Sequence, residues 1–130
     1  MEIDLGSHVP IYLQIADAIR SAVAVGVYRA GESLPSLRAM ATRIHVNPNT
    51  VQRAYDELSR QGLIESQRGR GLFVSQRGAD CARLAAGDGV RRAFDEAVRA
   101  GQTAGMSPEM VREIFDAALR RMAPDGSKPP

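Results

Sequence analysis

The chain has 130 residues, 44% of them hydrophobic and 25% charged, with a formal net charge of +2 and a pI near 9.1, which suits one ordinary domain or two small ones. A single cysteine, Cys81, excludes an intrachain disulfide and a thiolate metal site, and His8 and His45 lie far apart without partner ligands. No apolar run is long enough to cross a membrane and no N-terminal stretch reads as a secretory signal, so a cytoplasmic location is expected, with no cofactor or metal.

The first helix is predicted from about Pro10 to about Val25. Pro10 suits a first turn, Ile11, Ile15, Ala18 and Ala22 give a buried stripe, and Gly26 can end the helix. Tyr28 to Glu32 is a short connection in which Gly31 permits a tight turn. The second helix begins at Ser36, a good N-cap, and carries an apolar face of Leu37, Met40, Ala41 and Ile44. It ends by His45-Val46, with His45 read as a turn residue.

The segment Val46-Asn47-Pro48-Asn49-Thr50-Val51-Gln52-Arg53-Ala54-Tyr55 opens a third helix. Asn47 can cap it, Pro48 occupies a first position where its missing N–H costs nothing, and Gly62 suits the residue beyond its end. Val51, Ala54, Tyr55 and Leu58 share one apolar side, while Asn49, Gln52, Arg53 and Asp56 fall on the opposite side. Asn, Gln and Arg form paired hydrogen bonds to base edges in the major groove, whereas a merely solvated face more often carries Lys and Glu. Two short helices with so tight a connection make a helix-turn-helix. That geometry lets the second of them enter a major groove.

Leu63 to Gln67 and Leu72 to Ser75 read as two strands of a hairpin whose tip is Arg68-Gly69-Arg70-Gly71. Two arginines at the tip make it a wing able to reach phosphates or a minor groove. Arginine supplies nearly all the positive charge, Lys128 being the only lysine, and arginine suits bidentate pairing to phosphate and guanine. On this reading Arg38 and Arg70 serve phosphate or groove contacts, while Asn49, Gln52 and Arg53 address base edges.

Arg77 to Gly89 holds three glycines besides its polar residues and no steady period, and reads as a linker or an imperfect helix start. A helical stripe resumes through Val90, Phe94, Ala97 and Gly101. After a turn, Ser107-Pro108-Glu109 caps a last helix whose apolar side is Val111, Ile114, Phe115, Ala118 and Met122. Two such helices cannot bury this surface against each other, so a dimerisation element is expected, with Val90, Phe94, Val111, Ile114, Phe115, Ala118 and Met122 at the interface. Residues 124–130 are expected to be disordered. The domain reading is therefore 1–77 for the winged helix-turn-helix, 78–123 for the dimerisation element, and 124–130 for the tail.

The runs Pro10-Ile11-Tyr12-Leu13-Gln14-Ile15, Gly31-Glu32-Ser33-Leu34-Pro35-Ser36-Leu37-Arg38, Val46 to Val51, and Leu63-Ile64-Glu65 through Arg68-Gly69-Arg70-Gly71-Leu72-Phe73-Val74 resemble GntR-type transcription regulators. They occur in order and cover nearly all of residues 9 to 75. The short tail is similar to that of the YtrA-like subfamily. The resemblance implies a mainly α fold with a small β-hairpin, namely a winged helix-turn-helix domain followed by a two-helix dimerisation tail. It implies DNA contacts from Ser36 and Arg38, from Asn47, Asn49, Thr50 and Arg53 of the recognition helix, and from Arg68, Gly69 and Arg70 of the wing. Leu72 departs from the small hydroxyl residue common after the wing glycine, and Gly87-Asp88-Gly89 interrupts the first tail helix. The subfamily is similar to repressors beside transporter operons.

The expected function is thus a repressor that binds a near-palindromic double-stranded operator as a homodimer. The alternative is a winged-helix protein-interaction module without DNA binding. Catalysis is not expected: there is no paired carboxylate cluster, no Ser/His/Asp set and no glycine-rich phosphate loop opening a helix. An effector pocket lined by Phe94, Met110, Ile114 and Phe115 is a further option, although these residues read more simply as interface core.

Overall fold

The computed structural model describes residues 1–122. Its elements are α1 (Ile11–Ala24), α2 (Leu37–Ile44), α3 (Pro48–Arg60), β1 (Ile64–Gln67), β2 (Gly71–Val74), α4 (Gln76–Thr103) and α5 (Pro108–Met122). The chain divides into two compact units, one ending at Asp88 and the other beginning at Gly89. The expectation for residues 124–130 lies outside the described residues.

In the first unit, Val51, Ala54, Tyr55 and Leu58 of α3 are all buried, as the period of that helix requires. They pack with α1. The stripe that α1 buries is Ile15, Ala16, Ile19 and Val23. This corrects the expected stripe, in which Ile11, Ala18 and Ala22 prove only half-buried. Small Ala16 and three β-branched side chains form the surface that meets the core, while Ala18 and Ala22 line a shallow depression with Met40 and Ile44. Leu34 before α2, Met40 and Ala41 of α2, Leu63 just before β1, Ile64 and Val74 of the hairpin, and Ala79 and Ala82 of α4 complete the core. Each large apolar side chain so buried contributes about 1.5–3 kcal/mol.

β1 and β2 pair antiparallel with Ile64 opposite Val74 and Gln67 opposite Gly71. The stretch before α2 runs along the other edge of β2. Gly31 N donates to Val74 O (2.8 Å), Val74 N to Glu32 O (2.9 Å) and Leu34 N to Leu72 O (2.9 Å), with Ser33 bridged to Phe73. The base of the wing is thus held from both sides.

Of the two readings of Arg77 to Gly89, a linker or an imperfect helix start, the linker does not hold: the segment is helical, and α4 runs unbroken from Gln76 to Thr103. Ser75, expected to end a strand, instead caps this helix. Its Oγ accepts from Gly78 N (2.9 Å) and donates to Gly62 O (2.6 Å). Gly78 is where α4 lies against the Gly62–Leu63 backbone; a Cβ there would stand 2.5 Å from Leu63 Cα. The glycine marks a close approach rather than a break.

In the second unit, the later part of α4 and α5 are joined by a turn in which Gly105 takes φ +77°. Ser107 caps α5, its Oγ accepting from Met110 N (3.2 Å). Gly101 is buried, and Val111 packs where its side chain would be. The rings of Phe94 and Phe115 meet edge to face at 5.4 Å between centroids. Nothing on α5 is fully buried.

Candidate nucleic-acid interface

α2 is capped by Ser36, whose hydroxyl accepts from Ala39 N (3.1 Å), and places Arg38 in solvent within its first turn. The helix stops at His45, the one non-glycine residue with positive φ among the described residues (57°). His45 N donates to Ala41 O, and Val46 N reaches the same carbonyl at 3.0 Å. This left-handed residue turns the chain so that Asn47 can begin α3, its Oδ1 accepting from Asn49 N (2.7 Å) with Pro48 in the first turn. The cap that the sequence predicts is therefore formed, and it employs the Asn47 side chain.

The far side of α3 is open. Asn49, Gln52, Arg53 and Asp56 are exposed and Thr50 is half-exposed. Gln52 Nε2 donates to Asp56 Oδ1 (2.8 Å), which fixes the Gln52 amide. The Arg53 guanidinium lies over the ring of Tyr12 on α1, 4.2 Å from its centroid. A cation over a ring face is held by the ring quadrupole, and Arg53 stays exposed while so held. Tyr12 is the residue that sequence reasoning missed in this role; its only signal was inclusion in the Pro10–Ile15 run.

Behind this face, Tyr55 anchors α3 to the entry of α2. Its hydroxyl donates to Pro35 O at 2.8 Å. Burial, reinforced by Tyr28, pushes its pKa up to about 12, with Arg43 opposing. It is 1% exposed. At the outer end of the hairpin, Arg68, Gly69 and Arg70 form the tip and all three are exposed. Gly69 and Gly71 take φ of 75° and 105°, which side chains on L-residues rarely adopt. Arg70 N donates to Gln67 O (2.8 Å), and its guanidinium lies 5.4 Å from the Phe73 ring centroid.

All ten expected DNA-facing positions thus belong to the first unit. Ser36 and Asn47 spend their side chains on helix caps, whereas Arg38, Asn49, Arg53, Arg68 and Arg70 have their polar groups turned to solvent. The expected interface residues lie in the second unit. There Val90, Phe94, Ile114, Phe115 and Met122 are exposed, and Val111 and Ala118 are half-buried. Among the described residues no group of three or more His, Cys, Asp or Glu could hold a metal, and no helix is long and apolar enough to cross a membrane.

Known proteins share this arrangement. Residues 11–74 match the family described as bacterial regulatory proteins, gntR family. The chain is 46% identical over 76 residues to the HTH-type transcriptional repressor YtrA of Bacillus subtilis (strain 168), with 58% of each chain covered. It therefore spans less than two thirds of the length of that relative. Among solved structures it is similar to YtrA from Sulfolobus acidocaldarius, a GntR-family transcription factor, at 30% identity and TM-score 0.56 over 94% of this chain and 98% of that one. It is also similar to the AraR DNA-binding domain in complex with operator ORE1, at 28% identity and TM-score 0.51 over 58% of this chain and 94% of that one. These relatives and their fold are those of transcription regulators, not enzymes. With a winged helix-turn-helix, the motif runs in order and relatives along its length, the chain belongs to the gntR family of bacterial regulatory proteins.

Proposed function

We propose that the chain is a sequence-specific DNA-binding repressor that works as a homodimer on a near-palindromic operator in the cytoplasm. The observation that carries this reading is the exposed Asn49, Gln52 and Arg53 face of α3, in the same unit as the Arg68 and Arg70 wing tip. Asn49 and Arg53 have the geometry to read base edges. Arg38, Arg68 and Arg70 supply sequence-independent phosphate contacts. Pairing through the second unit would cover the apolar side chains of Val90, Phe94, Ile114 and Phe115 and present two recognition helices to half-sites about one helical turn apart. Binding over a promoter would then block polymerase. A transporter operon as the target follows from the YtrA-like resemblance.

The test is a gel-shift titration of the full chain, at several salt concentrations, on DNA upstream of its reading frame. Arg38→Ala should weaken binding on every sequence and flatten the salt dependence. Asn49→Ala or Arg53→Ala should cost about 1–3 kcal/mol and relax base preference. Unchanged affinity in all three variants would sink the assignment of the reading face. Absence of any DNA binding would favour a protein-interaction module.

A further inference from the structure

A cavity of about 450 Å³ opens in the first unit at the end of α3 remote from Asn47. Three arginines from three helices line it: Arg20 of α1, Arg60 at the end of α3 and Arg77 in the first turn of α4. Its other walls include Leu63, Ala82 and Ala85. That volume and mixture of apolar wall and few charged groups fit a small-molecule site.

The charges there are not balanced. Arg20 pairs with Asp17 and donates to Gln61 Oε1. Arg60 pairs with Glu57, whose carboxyl is held below the usual range by hydrogen bonds from Gln61 and then Arg60. Arg77 makes no ion pair or side-chain hydrogen bond among the described residues, so three guanidinium charges face two carboxylates. Arg20 and Arg77 stand on helices other than that of the proposed reading face. Arg60, although it shares the side of α3 that carries Asn49 and Arg53, lies at the opposite end of that helix, seven residues beyond Arg53; the DNA reading uses none of the three.

We propose that this cavity binds a small organic anion, a phosphomonoester of sugar-phosphate size, with its phosphate between Arg60 and Arg77 and its body on Leu63, Ala82 and Ala85. Guanidinium forks match phosphate oxygens in paired hydrogen bonds. The anion would compete with Glu57 for Arg60 and supply the partner that Arg77 lacks. By bridging these two side chains it ties the end of α3 to the start of α4, which gives a ligand a hold on the recognition helix from its far end.

Cys81, exposed and the only cysteine of the chain, lines the same cavity and reports on it. The experiment follows reaction of Cys81 in the full chain with a neutral disulfide reagent while inorganic phosphate, and then glucose 6-phosphate, is titrated at constant ionic strength. The proposal expects saturable slowing, with the sugar phosphate effective at lower concentration. Arg77→Gln should raise the half-saturating concentration about tenfold or more, the size of a lost charge-assisted pair. Arg60→Gln should act in the same direction, and Arg38→Gln should leave the titration unchanged. Slowing that matches chloride at equal ionic strength, is absent for both phosphates, or persists equally in the Arg77 and Arg60 variants overturns it. Loss of the effect in Arg38→Gln would relocate phosphate binding to the DNA face and overturn it as well.

Discussion

Replacing Gly78 by alanine places a methyl group 2.5 Å from Leu63 Cα, 2.7 Å from Ser75 Oγ and 2.8 Å from Gly62 O. Two of those neighbours are backbone and cannot swing aside, so α4 must shift away from the Gly62–Leu63 turn. That shift strains the Ser75 Oγ to Gly62 O bond (2.6 Å) and the Ser75 N to Leu63 O bond (2.9 Å). Overpacking of this kind costs about 1–3 kcal/mol. Alanine also brings a helix-propensity gain of about 1 kcal/mol over glycine. With rigid neighbours the cost falls in the upper part of its range, and the net loss should be about 1–2 kcal/mol. Gly89→Ala, farther along the same helix with nothing within 4 Å of its added methyl, keeps only the gain and should stabilise by up to about 1 kcal/mol. Guanidinium unfolding followed by far-UV circular dichroism, at one protein concentration, measures both. A Gly78→Ala protein as stable as its parent would show that α4 does not seat closely on that turn.

Three further outcomes follow from the same contacts. Tyr12→Leu, which removes the ring under Arg53, should lose about 0.5–1 kcal/mol of operator affinity, a two- to fivefold rise in Kd by gel shift; Tyr12→Phe should keep it, and equal loss in the two would point to a packing defect instead. Tyr55 holds its proton more tightly when folded, with a pKa of about 12 against 10.0. Its contribution is therefore complete below pH 10 and declines as pH rises from 10 towards 12, by about 2–3 kcal/mol in all. Tyr55→Phe, costing about 1 kcal/mol near neutral pH through the lost bond to Pro35 O, should flatten that alkaline decline in denaturation series. Ile114→Asp or Phe115→Glu should halve the mass measured by light scattering, with helix content retained; an unchanged mass would refute pairing through the second unit.

How far each feature was legible in the sequence depends on how local its cause is. α3 is legible because Asn47 and Pro48 sit at its start and Val51, Ala54, Tyr55 and Leu58 recur at helical spacing, all within one element. The wing is legible because Arg68-Gly69-Arg70-Gly71 encodes both the turn and its charge. The beginning of α4 is not, because Gly78 is read by propensity as a break, while its actual role, contact with a backbone fifteen residues earlier, is a tertiary fact. The buried stripe of α1 was misplaced for a related reason: several of its apolar residues allow more than one face, and the partner helix α3 selects Ile15, Ala16, Ile19 and Val23. Tyr12 beneath Arg53 joins residues of different helices, and the arginine cavity joins three, so neither leaves a periodic trace.

The central claim is that the exposed side of α3 reads bases while the wing grips the backbone. In vitro selection of duplexes from a random library by the full chain, repeated with Asn49→Ala and Arg53→Ala, tests it most directly. Enrichment of an inverted repeat by the parent, with altered or degenerate bases at the same half-site positions for each variant, is the predicted result. No enrichment by the parent, or one motif shared unchanged by all three proteins, would contradict it.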